Sequence, residues 1–236
     1  MNIKSFAVAA IGASTIIASG AANAALVNLG PGSFTAAASV ITFSEQPFGT
    51  VDPVYSVGGN TISFGTNFVG QSVTAGSPRT LTGSPTGGSL SLVQDGGTRI
   101  VGDGSNPTSP VLSGSPTFNG PISFLFSTPV AAVGLDGGYF NAIGGTTIEA
   151  FDVNGASLGS IVNSALGIEF YGLFDTSGSN IAGVSFYITG NEPAGFAIDN
   201  LTFGNANVVR HVPEPASLAL VGLGIGGLIA RRRKST

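Results

Sequence analysis

Short alternating runs of apolar and polar residues fill most of the chain, each bounded by Gly, Pro, Asn or Asp. Successive side chains of a strand point to opposite faces, so each run is read by its period of two. In Val40 to Glu45 this places Ile41, Phe43 and Glu45 on one face. The Gly58-Gly59-Asn60 turn leads into Thr61 to Phe64. Ile122, Phe124 and Phe126 share a face of a strand ending at Pro129, and Val130 to Leu135 continues as another. Thr146 to Val153 and Ala156 to Val162 flank Asn154-Gly155, a dipeptide suited to the positive φ angles of a two-residue hairpin. Ser89 to Val93 and Thr98 to Val101 flank Asp95-Gly96-Gly97 and predict a second hairpin. Val184, Phe186 and Ile188 alternate with Ser185, Tyr187 and Thr189, the pattern of a half-buried antiparallel strand. Ala197 to Phe203 is the last strand. Between Gly76 and Gly120 the triplet Gly-Ser-Pro recurs at Gly76, Gly83 and Gly114, at unequal intervals, which is loop punctuation and not a structural repeat. Closely spaced strands joined by turn residues predict an all-β fold, an antiparallel β-sandwich, jelly-roll-like rather than immunoglobulin-like.

Two segments depart from that pattern. Residues 1–24 read as a secretory signal peptide: Lys4 is the positive start, Phe6 to Ala18 the apolar stretch and Ala22-Asn23-Ala24 the small-residue cleavage site. Cleavage between Ala24 and Ala25 by the export pathway would leave a β-sandwich at 25–205 and a linker at 206–215. At the other end, Pro213-Glu214-Pro215 precedes an uncharged apolar run over 216–230 and then Arg231, Arg232, Arg233 and Lys234. Fifteen residues are short of the ~20 that span a bilayer as a helix, but a snorkelling Arg231 and local thinning make up the difference. The four cations act as a stop and hold the tail 231–236 in the cytoplasm. Gly222, Gly224 and Gly227 spell G-x-G-x-x-G without the strand and βαβ unit that a dinucleotide site needs. Gly222 and Gly226 spell a G-x-x-x-G helix-packing motif.

Composition narrows the function classes. From Ala25 to His211 the cations are Arg79, Arg99 and Arg210, against every acid of the chain except Glu214. A sparse acidic surface excludes phosphate-backbone binding, so nucleic acid is not an expected partner. The chain has no cysteine, so its core must hold it without disulfides. His211 is the only histidine and falls in the linker, which leaves the sandwich without a His-dependent triad or a His-ligated zinc. Charged residues are 8%, well under the ~25% of ordinary domains. The 16 Phe nevertheless point to a packed domain and not a disordered one.

The order Val212-Pro213-Glu214-Pro215, a Gly- and Leu-rich run and an Arg cluster resembles the PEP-CTERM sorting signal of Gram-negative bacteria. The resemblance implies an exosortase as partner, cutting near Pro213-Glu214-Pro215, an inner-membrane-anchored form before processing, and a host that makes exopolysaccharide. The plainer alternative is an ordinary C-terminal anchor. The strands Ile41 to Phe43, Gly120 to Phe124, Thr128 to Val130, Phe151 to Gly155 and Phe196 to Phe203 also look like the β-sandwich ectodomain that such proteins carry.

Candidate chemistry is thin. On a simple alternation Asp199 shares a face with Ala197, Leu201 and Phe203, and Glu45 with Ile41 and Phe43. A carboxylate on an apolar face is costly unless paired or metal-bound. If the first and last strands are neighbours, Glu45 and Asp199 could share a structural calcium, with loop carbonyls completing its oxygen shell. The alternative is that each caps backbone N–H groups or faces water. Asp136, before Gly137-Gly138, reads as a turn residue. Tyr55, Tyr139, Tyr171 and Tyr187 are candidates for stacking on sugar rings, Tyr187 pointing out of its strand. Paired acids could also hydrolyse glycosides. The expected function is a non-enzymatic, exported cell-surface or matrix protein associated with exopolysaccharide. A carbohydrate-binding module is the alternative, and a glycoside-active enzyme the more distant one.

Overall fold

The computed structural model describes residues 26–105 and 110–210. The expected signal peptide, the Pro213-Glu214-Pro215 motif, the apolar run and the basic tail lie outside them. Among the described residues the chain forms seventeen strands and one short 3-10 turn. The first nine are brief: β1 (Leu26–Asn28), β2 (Ser39–Ile41), β3 (Val54–Val57), β4 (Asn60–Gly65), β5 (Asn67–Phe68), β6 (Ser72–Val73), β7 (Leu81–Thr82), β8 (Leu92–Val93) and β9 (Thr98–Val101). After β10 (Val111–Gly114) the strands have six to nine residues: β11 (Ile122–Val130), β12 (Ala132–Phe140), β13 (Thr146–Phe151), β14 (Ser157–Val162), β15 (Gly167–Asp175), β16 (Ile181–Ile188) and β17 (Ala197–Gly204).

Two large antiparallel sheets result. The first runs β1-β15-β12-β17-β10-β9, with β2 also paired to β17. The second runs β14-β13-β16-β11-β4-β3. From β10 onward the chain alternates between sheets except at the β13–β14 hairpin, giving β15-β12-β17-β10 opposite β14-β13-β16-β11. That is the strand order of a jelly roll, two Greek keys closed on one core. The expected Asn154-Gly155 hairpin is present: Thr147 faces Val162 and Phe151 faces Ser157. Gly155 takes φ 80°, and Asp152 accepts the N–H groups of Asn154 and Ala156 at 2.8 Å.

The space between the sheets is filled by one aromatic-rich cluster, with Phe64, Phe124, Phe126 and Phe186 from the second sheet and Leu135, Tyr171, Ile198, Leu201 and Phe203 from the first. Edge-to-face and tilted contacts link neighbouring rings. Phe126 meets Phe203 at 5.2 Å and Tyr171 meets Phe186 at 5.0 Å, both across the sandwich. Gly137 belongs to this arrangement: a Cβ there would lie 2.7 Å from Cε1 of Phe186 and 3.0 Å from Cε2 of Tyr171.

Three expectations need correcting. The hairpin across Asp95-Gly96-Gly97 does not form: β8 pairs with β5, and β9 pairs with β10 in the first large sheet. Asp52 draws this turn elsewhere, accepting the N–H of Gly96 at 2.7 Å and the N–H of Thr98 at 3.0 Å. Nor is β16 half-buried. Ser185 is fully buried and hydrogen-bonded to Ser123, because residues 66–93 strap the outer face of the second sheet. In that strap Phe68 and Leu90 pack on Phe151 and Ala182. A Cβ at Gly183 would lie 2.5 Å from the Phe68 ring. Finally, residues 206–210, expected as linker, sit on the folded surface, as the next section shows.

Gly137→Ala should lose about 1–3 kcal/mol in urea unfolding, the usual cost of forcing a methyl into a filled core. Gly104→Ala, where a Cβ meets nothing within 4 Å, is the control and should shift stability little.

Candidate functional site

The first and last stretches of the described residues meet on the first sheet. After β17, the 3-10 turn Ala206–Val208 folds back over the outer face of the first sheet. Val208 and Val209 pack with Leu29 and Ala132, and with the partly buried Phe34, Ala38 and Phe174. The backbone is bonded as well: Thr35 N–H to Val208 O at 2.8 Å, Arg210 N–H to Ser33 O at 2.7 Å, and a bridge between Phe34 and Val209. The Arg210 guanidinium donates from Nε to Phe34 O at 3.3 Å. Two glycines make the room: a Cβ at Gly134 would lie 2.7 Å from the Phe34 ring, and one at Gly204 2.8 Å from Val208. The residues immediately before the predicted sorting motif are therefore held by the residues immediately after the predicted signal peptide.

The two acids expected to share a metal are placed differently from the alternation that suggested it. In β17, Thr202 faces Gly134 while Asp199 faces Asp136, so β17 carries one residue more than β12. That residue is a bulge at Asn200, with φ 51°. A bulge reverses the parity of the side chains. Ile198, Leu201 and Phe203 point into the core, while Asp199, only 1% exposed, belongs to the opposite face with Ala197. Asp199 accepts the N–H of Asn200 at 2.7 Å, and Asn200 Nδ2 donates to Asp136 at 2.8 Å. Asp136 is thus a strand residue and not a turn residue. The first and last strands are neighbours as expected, Ile41 facing Leu201. Glu45, however, lies beyond the end of β2, exposed, in a turn that Phe43 enters at φ 58°. It accepts from the N–H and the hydroxyl of Thr42 at 3.0 and 2.9 Å. Neither acid stands on the apolar face that motivated a shared calcium. Among the described residues no three His, Asp or Glu gather as a metal-binding group.

Alternation missed the acids that organise the loops. Glu192, 1% exposed, accepts the N–H groups of Asn141 and Ala142, both at 3.0 Å. Glu169 accepts from Ser164 and Ala165 N–H at 2.9 and 3.0 Å. Buried Asn163 ties the same loops, donating to Ala142 O at 2.7 Å and Ala165 O at 3.2 Å. These loops project Ile143 and Leu166, 66% and 59% exposed. Beside them Tyr139, 52% exposed, lines a hollow of about 180 Å³ with Asp103, Ser105 and Phe118.

Of the other tyrosines two are buried and the third is hydrogen-bonded. Tyr171 is buried and bonded to Thr146 at 3.1 Å, and burial pushes its phenol far above the ordinary range, with Glu169 and Glu192 adding to the shift. Tyr55 is raised by burial and by Glu45. Tyr187 donates to Glu149 at 3.0 Å, which turns it from a sugar platform into a bonded surface group. Burial first, then the Glu149 charge, raise it to about 12.

Residues 211–234 match the PEP-CTERM protein-sorting motif. No curated protein matches the chain. The match begins at the residue after Arg210, the last of the described residues, which is bonded to Ser33. The motif implies an exosortase as the processing partner, export, and a membrane-anchored C-terminal signal before processing.

In the unfolded chain tyrosine ionises near pH ~10. Folded Tyr187 keeps its proton to about 12, and Tyr55 and Tyr171 keep theirs still longer. The folded state then binds more protons than the unfolded one, so stability is whole below pH ~10 and is lost as pH rises beyond it. The melting temperature should fall from pH ~10 upward, and Tyr187→Phe should shallow that fall. A melting temperature level across this range would contradict the assignment.

Proposed function

We propose that this chain, which carries a PEP-CTERM sorting motif at residues 211–234, is a non-enzymatic protein of the cell surface or extracellular matrix. It is exported through the Sec pathway by its first 24 residues, anchored in the inner membrane by 216–230 with Arg231 to Lys234 in the cytoplasm, and released near Pro213-Glu214-Pro215 by an exosortase. Its destination is the exopolysaccharide layer. The observation that carries the reading is the match of residues 211–234 to the PEP-CTERM protein-sorting motif. The non-enzymatic part is supported by what the acids do. Glu192, Glu169, Asp52 and Asp152 each accept backbone N–H groups that hold loops.

A second reading, a carbohydrate-binding module, is favoured by one feature. Tyr139 stands half-exposed at the rim of its hollow, at the end of β12 and beside the loop that Glu192 and Asn163 hold. An aromatic face on a rigid support suits the apolar face of a sugar ring.

Changing Pro213, Glu214 and Pro215 together to Ala should leave an uncleaved form in the inner membrane, read by fractionation and immunoblot. Unchanged processing and location would reduce the tail to an ordinary anchor. For the second reading, the purified sandwich should bind the host polysaccharide and Tyr139→Ala should abolish that binding. Equal retention of both forms would dismiss the hollow.

A further inference from the structure

Resting on the carbohydrate-binding reading above, we propose that the hollow beside Tyr139 is a one-ring sugar site that takes an uncharged or amino-bearing pyranose and turns uronic acids away.

The walls suit a ring. Tyr139 and Phe118 both line the hollow, so two aromatic side chains border a space of about 180 Å³. Sites for larger ligands run to roughly 300–1,000 Å³, so this one has room for a single unit of a longer sugar chain. The C–H groups on one side of a pyranose are attracted to the negative face of an aromatic ring. Tyr139 has a fixed neighbour to lean on. A Cβ at Gly167 would lie 3.8 Å from its Cε2 and 3.9 Å from its Cζ. Gly167 takes φ 81°, which favours glycine and keeps that flank free of a side chain.

The hollow is set before a ligand arrives. Phe196 N–H donates to Phe118 O at 2.7 Å, and Phe118 N–H donates to Ser113 Oγ at 2.7 Å. Ala194 N–H donates to Asn141 Oδ1 at 3.1 Å, two residues beyond Tyr139, and Asn141 N–H donates to Glu192 at 3.0 Å. Phe118 is held at φ 63°, a conformation that bulky residues rarely take. Such residues persist where their surroundings over-determine them, and they gather at ligand sites. Walls fixed in advance spare the ordering cost of binding.

Charge sets the class of sugar. Among the residues that line the hollow Asp103 alone is charged, and none of Arg79, Arg99 and Arg210 lines it. Asp103 Oδ1 accepts the N–H of Ser105 at 2.9 Å, which fixes the turn that brings both residues to the wall. A carboxylate is a strong acceptor for sugar hydroxyls and for a protonated amine. It repels the carboxylate of a uronic acid, and no lining cation offsets that repulsion.

NMR titration of the exported protein, purified from its host, tests this with glucose, galactose, mannose, glucosamine, glucuronate and galacturonate. At least one of the first four should bind about tenfold more tightly than either uronate, the order expected for two like charges a few ångströms apart at a protein surface. Tyr139→Ala should abolish binding, and Tyr139→Phe, which keeps the ring, should retain it. Asp103→Asn keeps an oxygen for the Ser105 N–H and should bring the uronates close to the uncharged sugars, with the melting temperature unchanged. Uronates bound as tightly as the others, or a gap that survives Asp103→Asn, would overturn the sugar class and leave the carbohydrate reading standing. Retention of the host polysaccharide with none of the six sugars bound would overturn the one-ring site. Failure to bind the polysaccharide as well would remove the carbohydrate reading itself.

Discussion

Everything in this molecule hangs on the layer of aromatic rings between its two sheets. The chain has no cysteine and only three cations from Ala25 to His211. Burial of apolar surface must therefore supply the stability, at roughly 1.5–3 kcal/mol for each large side chain fully removed from water. Phe43, Phe64, Phe124, Phe140, Phe186, Phe196 and Phe203 are each at most 2% exposed and fall in two ring networks, Phe43-Phe64-Phe124-Phe126-Phe203 and Phe140-Phe186-Phe196. Tight packing of that kind leaves no slack, which is why Gly137 stands where a methyl would strike Phe186.

The outer faces answer a related demand. A sheet face left bare exposes apolar side chains, and here both faces are partly covered by chain that is itself poor in regular structure. Residues 66–93 strap the second sheet through Phe68 and Leu90. The termini cover the first through Leu29, Phe34, Val208 and Val209. Such coverings hold their shape through polar side chains. Asn60 closes the irregular end of β11 by accepting Thr128 N–H and donating to Thr128 O. Asp52, Glu169 and Glu192 hold other loops by accepting backbone N–H groups. A domain with few charges has placed many of its acids as backbone acceptors, which also explains how an acidic chain with so few cations tolerates them.

The termini junction joins structure to destination. The residues that follow the expected signal peptide and the residues that precede the sorting motif are bonded to each other on one face. Among the described residues, the first and last stretches of the sandwich thus meet on one part of the folded domain.

Much of this was legible in the residues themselves. Period-two runs announced an antiparallel sandwich, Asn154-Gly155 announced its hairpin, and the Pro-Glu-Pro tail announced the sorting motif, because each signal is local: strand pleat, turn φ and motif order need no partner. Where a partner decides, the local pattern misled. Thr98 to Val101 is a strand as expected, but it pairs with β10 and not with residues 89–93, since Asp52 claims the intervening turn. Ser185 alternates as a solvent-facing residue yet is buried, because the strap that covers it comes from a stretch without periodicity. Asp199 was assigned to the core face by counting from Phe203, and one extra residue at Asn200 reversed it. Alternation is a property of a single strand, whereas a bulge, a covering strap and a junction of termini exist only between segments far apart in the chain, and those were left to the tertiary structure.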